Sequence, residues 1–156
     1  MPRKKIIKNK FPLLDYKYNS YLISLFILQI LKSGKKNLAR NIVYNTCKII
    51  KTQTNENPLY ILEKAIINIS PIIGIKSKNY KKSIVKIPQK IDYIRATKLS
   101  LKWLIKFSKE NKKKKMSLNL ASEIIKASKK LGNSFKEKQK IHKIAKSNKK
   151  FLYLKK

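Results

Sequence analysis

Acid is nearly missing from this chain. Asp and Glu number 7 against 40 Lys and Arg, which leaves a net charge of +33. A fold with that imbalance repels itself in water, so a partner of opposite sign is expected. Nucleic acid is the first candidate and an anionic membrane surface the second. The 7 acids (Asp15, Glu56, Glu63, Asp92, Glu110, Glu123, Glu137) are scattered, and no two are spaced as a metal-holding pair. There is 1 histidine, His142, which excludes a histidine-built metal centre. Its reading is a helix-packing or RNA-facing ring. There is 1 cysteine, Cys47, so neither a disulfide framework nor a CxxC metal site is available. Cys47 reads as a small buried apolar residue on a helix. These absences exclude most catalytic chemistry and point to a binding protein without a cofactor.

Arginine is scarce as well. Only Arg3, Arg40 and Arg95 interrupt the lysines. Lysine is a mobile point charge and arginine a planar fork, so this surface suits backbone phosphates better than base edges. Lys, Asn, Ile and Tyr share A/T-rich codons, and their abundance reads as genome bias. The longest apolar run, YLISLFILQIL (21–31), falls short of the roughly 20 residues that a membrane span needs. No small-residue cleavage site follows it, so it is not read as a secretion signal.

What is present supports a core. Hydrophobic residues make up 42% of the 156, too many for a disordered polycation. Residues 1–19 are basic, contain Pro2 and Pro12, and read as an arm ordered on its partner. Ser20 is a predicted N-cap, and Leu22, Ile23, Phe26, Ile27 and Ile30 follow at helical spacing, with Gly34 ending the helix. A second helix is expected from about Asn37 to Lys51, with Leu38, Ile42, Val43, Cys47 and Ile50 inward. Asn57-Pro58 opens a third, and Pro71 closes it. Residues 72–88 read as a β-hairpin bounded by Pro88. A fourth helix runs from about Tyr93 to Lys109, and a fifth from Ser117, with Leu118 inward and Gly132 as its end. Ser134 to Glu137 reads as a capping box for a sixth. The expected architecture is mainly α: a compact bundle of about six helices, one protruding β-hairpin, and basic extensions at both ends. The single helical domain would span 20–148, and 149–156 would be a basic, aromatic tail.

The lysines gather where a helical core leaves chain exposed. Arg3, Lys4, Lys5, Lys8 and Lys10 lie in the arm; Lys32, Lys35 and Lys36 surround Gly34; Lys112 to Lys115 form a run before Met116. The finger 75–88, IKSKNYKKSIVKIP, carries Lys76, Lys78, Lys81, Lys82 and Lys86 and has no glycine for its turn. Asn79 tolerates positive φ, so the turn is expected to shift toward it. Tyr80, Tyr93, Phe151 and Tyr153 interleave with the charge and are candidates for stacking on unpaired bases. Gly34 can turn the chain and let backbone N–H groups approach a phosphate, with Lys35 and Lys36 supplying charge. It lacks the upstream glycine of a nucleotide-cradling P-loop.

These segments resemble a known family across nearly the whole chain. SYLISLFILQILKSGKKNLARNIVYNT (20–46), MSLNLASEI (116–124) and HKIAKSNKKF (142–151) are similar, in that order, to motifs of the seventh protein of the small ribosomal subunit. YNSYLISLFI and TNENPLYIL are most similar to plastid versions; an A/T-rich bacterium or a mitochondrion is the alternative source. The resemblance implies a non-enzymatic protein that binds the rRNA of the subunit head and organises its folding. It implies rRNA contacts at the arm, Lys32, Gly34, Lys35, Lys36, Lys76, Lys78, Arg95, the 112–115 run and Met116. It places Tyr80, Lys81, Lys82 and Lys86, with Lys143, Asn148, Lys149 and Phe151, near the exit-site tRNA and the mRNA path. Further partners would be neighbouring head proteins and the eleventh small-subunit protein, with no membrane. Three departures stand out: Lys81-Lys82 replaces the family's Gly-Gly turn, Arg95 alone survives of the usual arginines after Pro88, and Lys146 stands where the family has an acid. A cationic membrane-surface protein and a DNA-compacting protein are the competing classes. The first would need one helix with opposed lysine and apolar faces, free to lie flat.

Overall fold

A computed structural model describes residues 13–80, 83–110 and 114–150. Six helices and one hairpin follow one another as α1 (Tyr21–Ile30), α2 (Lys36–Thr54), α3 (Pro58–Ile69), β1 (Ile73–Tyr80), β2 (Ser83–Lys90), α4 (Tyr93–Glu110), α5 (Met116–Ser128) and α6 (Asn133–Ser147). The mainly helical bundle with one β-hairpin is thus borne out.

Helix α5 is the hub. It packs against α2, α3, α4 and α6. Leu120, Ala121, Ile124 and Ala127 on it are fully buried, and the two alanines let neighbouring backbones approach closely. The same core takes in Phe26 and Ile23 from α1, Val43, Cys47 and Ile50 from α2, Leu62 and Ile69 from α3, and Leu101 and Leu104 from α4. Cys47 behaves as the expected small buried residue, and burial pushes its thiol up to about 11. Helix α3 opens as the sequence indicates: the Asn57 side chain accepts from the Leu59 N–H at 3.0 Å, and Pro58 needs no N–H partner there. At the other end of α3, Asn68 Nδ2 donates to the carbonyls of Ala127 and Ser128, satisfying the C-terminus of α5.

Several expectations fail for local reasons. Helix α1 stops at Ile30, ahead of Gly34, because Leu31 leaves the helical region with ψ 127°. Gly34, at φ +74°, belongs to the turn that follows. Leu38 and Leu118 were expected inward and are 60% and 40% exposed. Both lie in the first turn of their helix, beside the loop, where the bundle has not yet closed over the apolar stripe. Gly132 does not end α5, which stops at Ser128; it precedes α6 with φ +93°. Ser134 is therefore inside α6 and does not form a capping box with Glu137. Its N–H and Oγ–H both donate to Glu123 Oε1, at 2.9 and 2.8 Å. Glu123, on α5, is thus the cap of α6, and the space beside Gly132 is what admits it: a Cβ there would meet Glu123 Oε1 at 3.0 Å.

The described end of the arm is tied down. Asp15 is buried and accepts from the Tyr44 hydroxyl at 2.9 Å and from the Lys17 and Tyr18 N–H groups. This pins residues 15–18 to α2, 29 positions away. Burial, with the bond to Asp15 second, raises the Tyr44 phenol well above its ordinary value.

In the hairpin β1 and β2 pair antiparallel from Ile73–Lys90 to Tyr80–Ser83. Pro88 does not bound it; it sits within β2 opposite Ile75, as a two-stranded sheet, which is all edge, permits. Asn79 is not in the turn but in the ladder, opposite Ile84. The Tyr80–Ser83 pair leaves just two positions between the strands, so the turn has no need of Asn79. At the hairpin base, Gly74 makes room for Ile91, whose Cδ1 would lie 2.5 Å from a Cβ at that position.

Candidate nucleic-acid interface

Two helices begin in the same unusual way. The N-cap of α2 is Lys35 and that of α5 is Lys115, neither with a side-chain capping bond and neither helix with an acid in its first turn. A helix N-terminus carries about half a positive charge on its unsatisfied N–H groups, so lysines there add repulsion, not relief. The arrangement is favourable only when an anion sits on it, and phosphate suits both the N–H groups and the charge.

The Gly34 turn shapes the first of these ends. Ser33 and Gly34 both have positive φ, at 51° and 74°. The Lys35 N–H donates to the Lys32 carbonyl at 3.1 Å, and the Lys36 N–H to the Gly34 carbonyl at 2.7 Å. Lys32, Lys35 and Lys36 are thereby gathered on one tight, exposed turn. Nothing lies within 4 Å of the Cβ that Gly34 lacks, so open space adjoins the backbone there. The turn thus brings the three lysines together, while the Lys35 and Lys36 N–H groups are spent within it. The second end holds Lys114 and Lys115, exposed, with Met116 half-buried against the core as an anchor. Thr46 Oγ1 of α2 lies 3.5 Å from the Ser117 carbonyl of α5. Measured along α2, the two lysine-headed ends are roughly 15 Å apart.

The hairpin does not gather its lysines on one face. Lys76 and Lys78 share a face by the two-residue period, and Lys86, opposite Ser77, is on the other. All three are exposed. Arg95 is exposed in the first turn of α4. At the C-terminal side of the bundle, Lys149 is brought against the hairpin base. It lines, with Lys146, His142, Ile73, Pro88 and Lys90, a groove of about 640 Å³. Lys143 is exposed but is not part of that lining, and Asn148, the C-cap of α6, is half-buried. His142 is half-buried there, as a packing residue with a buried, unpaired Nε2. Burial, then Lys138, lowers its pKa below the ordinary value, which favours a neutral ring. Arg3, Lys4, Lys5, Lys8, Lys10, Lys81, Lys82, Lys112, Lys113 and Phe151 lie outside the described residues, as does the side chain of Tyr80.

Sequence reasoning missed the polar residues that hold this surface in place. Asp15 and Glu123 were read only as scattered acids; both are buried acceptors. The available signal was their rarity, since an acid kept in so basic a chain has a specific donor to satisfy. Among the described residues no three His, Cys, Asp or Glu side chains converge, and no helix is long and apolar enough to cross a membrane.

The family model described as ribosomal protein S7p/S5e matches residues 2–149. The small ribosomal subunit protein uS7c of Trieres chinensis is 46% identical, over 92% of this chain and 91% of its own length. Small ribosomal subunit protein uS7 of Desulfatibacillum aliphaticivorans is 39% identical over 98% of both chains. The uS7c protein of Cyanidium caldarium is 40% identical over 87% of both. The chain belongs to the ribosomal protein S7p/S5e family, whose members are structural and not catalytic.

Proposed function

We propose that this protein is a primary rRNA-binding component of the small ribosomal subunit and organises the RNA of the subunit head. The observation that carries the reading is the pair of uncapped, lysine-headed helix ends at Lys35 and Lys115. They form a sequence-tolerant phosphate clamp on a rigid bundle, with Lys32, Lys36 and Lys114 beside them and Arg95 and the 1–10 and 112–113 lysines as further phosphate contacts. Lys76 and Lys78 of the hairpin contact rRNA, and the hairpin, with Tyr80, Lys81, Lys82 and Lys86, projects toward the exit-site tRNA and the mRNA path. Lys143, Asn148, Lys149 and Phe151 extend that side. Neighbouring head proteins and the eleventh small-subunit protein complete the surroundings. The relatives named uS7c favour a plastid ribosome as the location.

The test is binding of the purified protein to isolated head-domain rRNA, with no other protein present, against an equal length of rRNA from another domain. A primary binder selects the head fragment at physiological salt. Equal affinity for both fragments, or binding that requires another protein first, contradicts the proposal.

A further inference from the structure

One groove breaks the charge pattern of the whole molecule. It lies between α1, α3 and the start of α4, has a volume of about 620 Å³, and has no lysine or arginine in its lining among the described residues. Glu63 is the one charged residue among the described lining. In a chain with 40 Lys and Arg, that exclusion marks a surface made for something other than phosphate.

The walls are apolar. Leu22 and Leu25 of α1 face Leu59 and Ile66 of α3, with Ile94 of α4 beside them. At the rim, Ile67 is 71% and Tyr93 78% exposed. Helix α1 is apolar around nearly its whole circumference, a pattern that belongs to helices covered on every side. Its inward residues Ile23, Phe26 and Ile27 are spent on the core, while Leu22 remains only partly covered at the groove. The adjoining segment that carries Leu14 and Tyr18 forms one edge, held by the bond from Tyr44 to Asp15. The groove is therefore built on anchored elements.

Resting on the ribosomal reading above, we infer that this groove is a protein-docking site for an apolar segment of a neighbouring ribosomal protein that carries a lysine or arginine against Glu63. RNA is disfavoured by charge: its phosphates would find no cation in the lining and would meet a carboxylate. A basic, apolar protein segment satisfies both features at once, the side chains filling the groove and the cation pairing with Glu63.

The test places a photo-crosslinking residue at position 67 of the full chain and assembles it into small subunits, with the same residue at position 36 as the RNA-facing control. The expected product at 67 is a crosslink to a ribosomal-protein peptide with apolar residues next to a lysine or arginine. In parallel, Glu63→Lys is competed against the parent chain for incorporation. It should be outcompeted by about tenfold or more while its affinity for naked head rRNA is unchanged or slightly raised. A crosslink from 67 to rRNA, to residues 1–12 of the same chain or to a second copy overturns the inference, as does no crosslink at all. Equal incorporation of Glu63→Lys overturns it too. If the parent chain itself fails to enter small subunits, the ribosomal reading fails with it, an outcome distinct from groove-specific failure.

Discussion

Helices α3 and α6 begin in one way and helices α2 and α5 in another. Asn57 caps α3 from its own sequence, and Glu123 reaches across from α5 to cap α6. The chain is thus able to supply acceptors where it needs them. At the starts of α2 and α5 it puts Lys35 and Lys115 instead. Lysine is well placed elsewhere: Lys51, Lys109, Lys126 and Lys146 sit in last turns, where the helix dipole welcomes a cation. The same side chain is stabilising at one end of a helix and destabilising at the other. Helix ends that work against the free protein are the ones that stand to gain most from a bound polyanion. Among these four helices, two starts have a side-chain acceptor and two are headed by lysine.

The largest effect should come from breaking an internal cap. Glu123→Ala leaves the buried Ser134 N–H and hydroxyl without an acceptor and should cost about 2–3 kcal/mol, read by urea unfolding. RNA affinity per folded molecule should not change. The opposite sign is expected at the other class of end. Lys35→Asp, or separately Lys115→Asp, supplies the missing cap and should stabilise the free protein by about 1 kcal/mol while weakening rRNA binding. If both properties move in the same direction, the division between the two kinds of end is wrong. Gly34→Ala meets no steric obstacle but forces a side chain into positive φ, a cost of about 1 kcal/mol in the same unfolding experiment.

The smallest expected effect concerns pH and the core behind these ends. The Cys47 thiol is raised by burial from 9.0 to about 11. The unfolded thiol ionises first, so its contribution to stability is complete below about pH 9 and is lost as pH rises toward 11. Comparing the parent chain with Cys47→Ala isolates this from the lysines, which titrate in both. The parent should lose more stability than the variant between pH 9 and 11; parallel curves would mean that the thiol is not desolvated.

Much of this division was written in local sequence. Periodic apolar residues locate all six helices, Asn57-Pro58 marks the start of α3, and Gly34-Lys35-Lys36 marks the turn before α2. The first-turn leucines Leu38 and Leu118 mislead because periodicity says which side a residue is on, not whether a neighbour covers it there. The internal caps were not legible. Glu123 acts 11 positions upstream of Ser134 and Asp15 acts 29 positions from Tyr44, distances over which only the assembled bundle sets the partner. The local rule offered Ser134 and Glu137 as a capping box, and a tertiary contact from Glu123 took its place. The splitting of the hairpin lysines also depended on register, which follows from the Tyr80–Ser83 pairing and not from composition.

The central claim is that Lys35, Lys36 and Lys115 hold phosphates at two helix ends. The direct measurement is the slope of log affinity for head rRNA against log salt, for the parent chain and for a variant with all three changed to Gln. Each lost phosphate contact lowers the slope by about 0.7–0.9, so a decrease of about 2–3 is predicted, with unfolding stability unchanged or raised. An unchanged slope in a fully folded variant would contradict the account.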